Sequence, residues 1–439
     1  MNEFFVYKSN TGINLVIYPT KIKDIIDVTI TIKSGSLNDE MCTYGMAHFL
    51  EHLLFKGSKN YSNILSKLDA TGAYYNAYTS YEITEYKIYG LSKFFNIYLS
   101  ILVDMFCNSS LAKEYIEKEK KIIIEELNIN LSKPNNIIFH KINEMLSPEN
   151  GRNYFIPVIG TIEDINRITY EKLLAYKNKY YCNSNSLFTI KGDVTVDLIE
   201  KINEIFSKIL NINIIFNKYN YKIENINDII YYRPITKKLK LKDRYFFITD
   251  NIDNYNIYIC FPSWKKFSNN VHVISILSII LSGNLTSYIP KILREKFGVS
   301  YDQGFKNINY DDYGVFLLYV LTTKPYKSIL LILHILLILL KTGITEENLN
   351  NAKNTYLMHM NLSYQTTSDF ISESILYKQQ VKNLNAVNSI CNNITVSDVN
   401  NLLNIIIKKN YLYLLVVGSK PLNKTIVKKI YNTFNKLLQ

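Results

Sequence analysis

Apolar and polar positions alternate in short stretches near the start of the chain. Residues 13–19 (INLVIYP) and 27–35 (DVTITIKSG) carry the β-branched, period-two pattern of strands. The period then changes. Residues 45–56 (GMAHFLEHLLFK) predict a helix, with Gly57 as its stop signal. Residues 73–80 (AYYNAYTS) and 83–91 (ITEYKIYGL) read as two more strands. An amphipathic helix is expected over 91–106, and a far more charged one over 114–132.

Two distant stretches share one layout. Ile168-Thr169 opens a helical pattern that runs into SLFTIKGD, and Ile394-Thr395 opens another that runs into YLLVVGSK. From Thr169 to Gly192 (192 − 169) and from Thr395 to Gly418 (418 − 395) the separation is the same, 23 residues. That punctuation points to a duplicated unit. The fold class expected is α+β, with two homologous halves at 1–215 and 240–439. Each half is a mainly antiparallel sheet with helices packed on one side. Residues 216–239, rich in Asn, Lys and Tyr, read as the linker.

Composition narrows the class. The chain has 439 residues, 47% of them hydrophobic and 20% charged, with 15 Gly and 9 Pro, which excludes collagenous and largely disordered proteins. The cysteines at 42, 107, 182, 260 and 391 form no CxxC pair, which excludes a ribbon or finger-type zinc site, and an odd, scattered set argues against a disulfide framework. The net charge of +12 comes from lysines scattered along the chain rather than from clustered arginines, so nucleic acid is not the expected partner. The longest apolar run, 328–340 (SILLILHILLILL), lies between Lys327 and Lys341. It is shorter than the ~20 residues of a membrane span, and a buried helix is expected there. The N-terminus MNEFFVYKSNTG shows no signal-peptide h-region.

Chemistry concentrates at His48-Phe49-Leu50-Glu51-His52. The chain has 6 histidines, and composition alone would produce an HxxEH pattern only ~0.004 times in a chain of this length. On a helix His48 and His52 share a face, so both imidazoles can bind one zinc ion, with Glu51 placed to act on water: the inverted zincin pattern. A catalytic zinc needs a third protein ligand. The charged helix offers Glu114, Glu117, Glu119, Glu125 and Glu126. Glu119 and Glu126 are two turns apart on one face, which suits one ligand and one acceptor that orients a histidine. Spacing alone does not choose between Glu125 and Glu126.

The stretches GMAHFLEHLLFKGS, NAYTSYEIT and EKEKKIIIEELN together resemble the pitrilysin/insulinase family of zinc peptidases. The resemblance is to its processing-peptidase subfamily, which includes the β subunit of the mitochondrial processing peptidase and bacterial relatives. It implies one Zn2+ per chain held by His48, His52 and Glu126, with Glu119 behind a histidine and Glu51 as the catalytic base. It also implies that the segment LREKFGVSY supplies Arg294 and Tyr301 to the reaction, and that Asn76 and Ala77 lie on a strand that pairs with substrate. The implied shape is a clamshell of two halves enclosing a peptide or an unfolded protein segment. Implied partners are a second copy or a related subunit, and the compartment is a bacterial-type cytoplasm or an organelle matrix. The alternative function is a non-catalytic, peptide-binding partner subunit; such subunits usually lack the intact metal motif that this chain retains.

Overall fold

The structure is a computed structural model that describes residues 4–147, 153–194, 198–223, 243–366, 369–408 and 411–438. The chain gathers into two compact units. One comprises Met1–Asn130, Ile156–Asn225 and Gln365–Val381, and the other Leu131–Phe155, Ile226–Tyr364 and Lys382–Gln439. Each holds one sheet with packed helices, as α+β predicts. The units differ from the contiguous ranges 1–215 and 240–439, because each takes in one segment from the other's stretch of sequence. Of the expected linker, Phe216–Lys218 is a strand, and residues from 224 onward lie outside the described residues.

The first unit contains β1 (Phe5–Ser9), β2 (Asn14–Pro19), β3 (Ile25–Ile32), β4 (Tyr74–Thr79), β5 (Thr84–Leu91), β6 (Ser186–Gly192) and β7 (Phe216–Lys218). They form a sheet in the order β4-β5-β3-β6-β2-β1-β7, in which β2 and β6 are parallel and the other pairs antiparallel. Four helices enter the account here: α1 (Met46–Leu54), α2 (Ile64–Asp69), α3 (Phe95–Asn108) and α4 (Lys113–Leu131). Strand alternation explains the layering. Ile26, Val28, Ile30 and Ile32 of β3 join Phe49 and Leu50 of α1 and Leu99 and Leu102 of α3 in one core. On the opposite face lies the helix Asp369–Leu376. Its Ile371 and Ile375 pack with Val16, Tyr18 and Leu187, and the hydroxyls of Ser372 and Thr189 are 2.8 Å apart.

The second unit contains β8 (Tyr245–Thr249), β9 (Tyr255–Ser263), β10 (Ser300–Asn309), β11 (Gly314–Thr322) and β12 (Tyr413–Gly418). Their order, β10-β11-β9-β12-β8, reproduces β4-β5-β3-β6-β2, and β12 and β8 are again the parallel pair. The 23-residue spacing thus marks a duplicated fold. Thr169 caps the helix Tyr170–Tyr180 ahead of β6, and Thr395 caps Val396–Ile406 ahead of β12. Both strands end at a glycine because their neighbours leave no room. A Cβ on Gly192 would lie 2.3 Å from the Ile25 carbonyl oxygen, and one on Gly418 would lie 2.2 Å from the Tyr255 ring. Ile25 and Tyr255 are the matching first residues of β3 and β9. The helix Pro134–Leu146 packs on β8 and β12 of this unit, and its Asn135 accepts from the Tyr258 hydroxyl at 2.7 Å.

The 13-residue apolar run extends into an 18-residue helix, Pro325–Thr342, longer than expected. By length and composition it could cross a membrane. Yet Ile329, Ile332, Leu333, Ile335, Leu336, Leu337 and Leu339 are buried, and the helix packs on β9 and β11, as a core helix does.

Candidate metal centre

The helix α1 is held from both ends. Asp39 accepts from the backbone N–H groups of Gly45 at 2.7 Å, Met46 at 3.1 Å and Ala47 at 3.0 Å, which satisfies its first turn. Gly45 takes φ 91°, and a Cβ there would meet the Ile159 carbonyl oxygen at 2.3 Å. Met46, Ala47, Phe49, Leu50, Leu53 and Leu54 turn into the core. That leaves His48, Glu51 and His52, spaced i, i+3 and i+4, on the other face. The helix ends at Leu54, with Phe55 as its cap, so Gly57 lies two residues beyond the cap.

One ligand atom each from His48, His52 and Glu126 falls within 4.8 Å of the others. Glu126 Oε2 is 3.5 Å from His52 Nε2 and 3.8 Å from His48 Nε2. Exposed Glu125 is not in this group. Glu119, fully buried on α4, sits behind His52, its Oε2 3.3 Å from Nδ1. The donor set fits zinc: two imidazole nitrogens and one carboxylate oxygen leave a fourth position open. The two histidines differ in protonation. Burial, reinforced by the neighbouring His52, lowers His48 to about 4, so it stays neutral and able to ligate. Burial alone would lower His52 too, but its hydrogen bond to Glu126, the charges of Glu51 and Glu126, and its hydrogen bond to Glu119 raise it. The bond to His52 keeps Glu126 below the ordinary carboxylate range.

Glu51 is not among the three. Burial raises its pKa, against a hydrogen bond of 2.6 Å that the Thr79 hydroxyl donates to its Oε2. Thr79 closes β4, the terminal strand of the first sheet, whose pairing is with β5. Asn76 is exposed and Ala77 half-buried on that strand. In the second unit, Arg294 lies in the helical turn Lys291–Lys296 and Tyr301 on β10. The guanidinium is 5.0 Å from the centre of the Tyr301 ring, and Tyr301 is 78% exposed. Sequence reading missed Lys56, whose Nζ is 2.8 Å from Glu119 Oε1, as well as Thr79 and Asp39. For Lys56 a signal existed in its position four residues after His52; for the other two the partner is visible only in three dimensions.

A duplicated α+β fold with a histidine pair and a distant glutamate converging from two helices is the architecture of an inverted zincin. Two family models match in order: the insulinase (peptidase family M16) model over residues 15–153 and the peptidase M16 inactive domain over residues 167–356. The chain belongs to the M16 insulinase family. It is 26% identical over 332 residues to an uncharacterised zinc protease of Rickettsia bellii, covering 75% of this chain and 76% of the relative. It is 32% identical over 205 residues to the β subunit of the mitochondrial-processing peptidase of Caenorhabditis elegans, covering 46% and 42%. A protease from Helicobacter pylori superimposes with a TM-score of 0.78 at 20% identity, over 96% of this chain and 100% of that one, a likeness of fold.

Proposed function

We propose that the chain is a zinc-dependent endopeptidase that hydrolyses peptides or the N-terminal segments of proteins. The observation that carries this is the convergence of His48, His52 and Glu126 next to a half-buried Glu51 that stands outside their group. When bound, zinc supplies Lewis acidity toward water and the scissile carbonyl. The other roles belong to the protein. Thr79 holds one oxygen of Glu51 and leaves the other to take a proton from water and return it to the leaving amine. Around Asn76 and Ala77, β4, the terminal strand of its sheet, offers its outer edge to an extended substrate backbone. Arg294 and Tyr301 are the second unit's candidates to stabilise negative charge on the scissile carbonyl oxygen. The match of residues 167–356 to an inactive domain supports leaving metal chemistry to the first unit, and among the described residues no second metal-binding group occurs. A second copy or a related subunit is the proposed partner, supported by the relative that is itself named a subunit.

The test is cleavage of a peptide library by the purified chain. Cleavage that stops with a chelator and returns with one equivalent of zinc is expected. A zinc-loaded chain that cuts nothing would refute the reading.

A further inference from the structure

Glu119 is a carboxylate with no exposed surface, placed between His52 and Lys56. Its Oε2 faces His52 Nδ1 at 3.3 Å, and its Oε1 faces Lys56 Nζ at 2.8 Å. A buried carboxylate left unpaired is costly, and one held at a single oxygen is free to rotate. Lys56 lies just past the end of α1, four residues after His52, and its Nζ reaches Glu119. Its side chain is about one-third exposed, so the Lys56 ammonium keeps some hydration while neutralising a group that has none.

We propose that Lys56 is a positioning residue for the metal centre, acting through Glu119. With the Lys56 charge 2.8 Å from Oε1, Oε2 stays on His52 Nδ1 and the proton of the imidazole stays on that nitrogen. The lone pair is then presented from Nε2, the nitrogen that faces Glu126. A lysine four residues after the second histidine thereby extends the metal-binding pattern from HxxEH to HxxEHxxxK. The inference rests on the metal reading above and not on peptidase activity.

The test measures zinc affinity at pH 7.5 by competition with a chromophoric chelator, in the full chain. Lys56→Met should weaken binding by about tenfold, the lower range for groups that orient a ligand histidine. Lys56→Arg, which keeps a cation, should recover most of that loss. In a Glu119→Gln background Lys56→Met should cost nothing further, because the carboxylate it positions is gone. The visible spectrum of the cobalt-substituted chain should shift in Lys56→Met and not in Lys56→Arg. Zinc-free melting curves check folding, and Lys56→Gln replaces Lys56→Met if the latter does not fold. Wild-type affinity in Lys56→Met, or the same loss in both backgrounds, overturns the proposal. A wild-type chain that binds no zinc overturns the metal reading and this inference with it.

Discussion

His52 lies between two carboxylates, and that position decides how pH acts on the site. Its pKa in the metal-free fold is raised above 6.5 by Glu126 and its neighbours despite burial. A raised histidine stabilises the metal-free fold below its unfolded pKa, and that contribution is lost as pH rises through the folded value. Zinc must displace the same proton. Below the raised pKa, affinity is expected to fall by roughly tenfold per pH unit, with one proton released per zinc bound. Calorimetry in buffers of different ionisation enthalpy checks the release; a pH-independent affinity between pH 5.5 and 7.5 would contradict it. Residue identity is equally testable. Glu126→Gln should abolish tight zinc binding and Glu125→Gln should leave it intact, by elemental analysis. At this scale the sequence showed the histidines and Glu51 through their spacing, and family resemblance singled out Glu126. Thr79 was hidden, because a hydroxyl acquires its role only when a second element brings a carboxylate to it, and Lys56 carried no signal beyond its spacing from His52.

The elements of the first half were legible where apolar and polar letters alternate. In β3, isoleucine and valine alternate with Asp27, Thr29 and Thr31, so period two is plain in the letters. The strands β9 and β11 were not read. Each is a nearly continuous apolar run, so no alternation shows in the letters. The helix α1 depends on Asp39 more than its own sequence suggests, since that carboxylate satisfies three backbone donors at its first turn. Asp39→Ala is expected to destabilise the chain by about 1–2 kcal/mol, the upper range for a lost N-cap. Zinc affinity should also fall, because His48 is in that turn. Chemical denaturation gives the first quantity, and a loss under ~0.3 kcal/mol would show that the cap is dispensable.

For the molecule as a whole, the duplication was readable from two threonine caps and two terminal glycines with equal spacing. The exchange of segments between units was not. Nothing local in residues 365–381 announces that Ile371 and Ile375 cover Val16, Tyr18 and Leu187, a contact set by side chains far apart in sequence. The part proposed for the second unit in catalysis is tested at Tyr301. Tyr301→Phe removes one exposed hydroxyl, so folding and zinc content should stay at wild-type levels. By analogy with oxyanion donors, kcat is expected to fall ~10-fold to 10³-fold with KM little changed. A Tyr301→Phe chain as active as wild type would place the whole reaction in the first unit.

The central claim is that His48, His52 and Glu126 hold zinc while Glu51 moves the proton. Glu51→Gln separates these roles in one preparation, with zinc content and peptide cleavage measured side by side. One zinc per chain with turnover reduced at least ~10²-fold is the expected result, since the amide keeps the shape of the side chain and cannot accept a proton. Loss of zinc from Glu51→Gln, or turnover within about tenfold of wild type with zinc retained, would contradict the account.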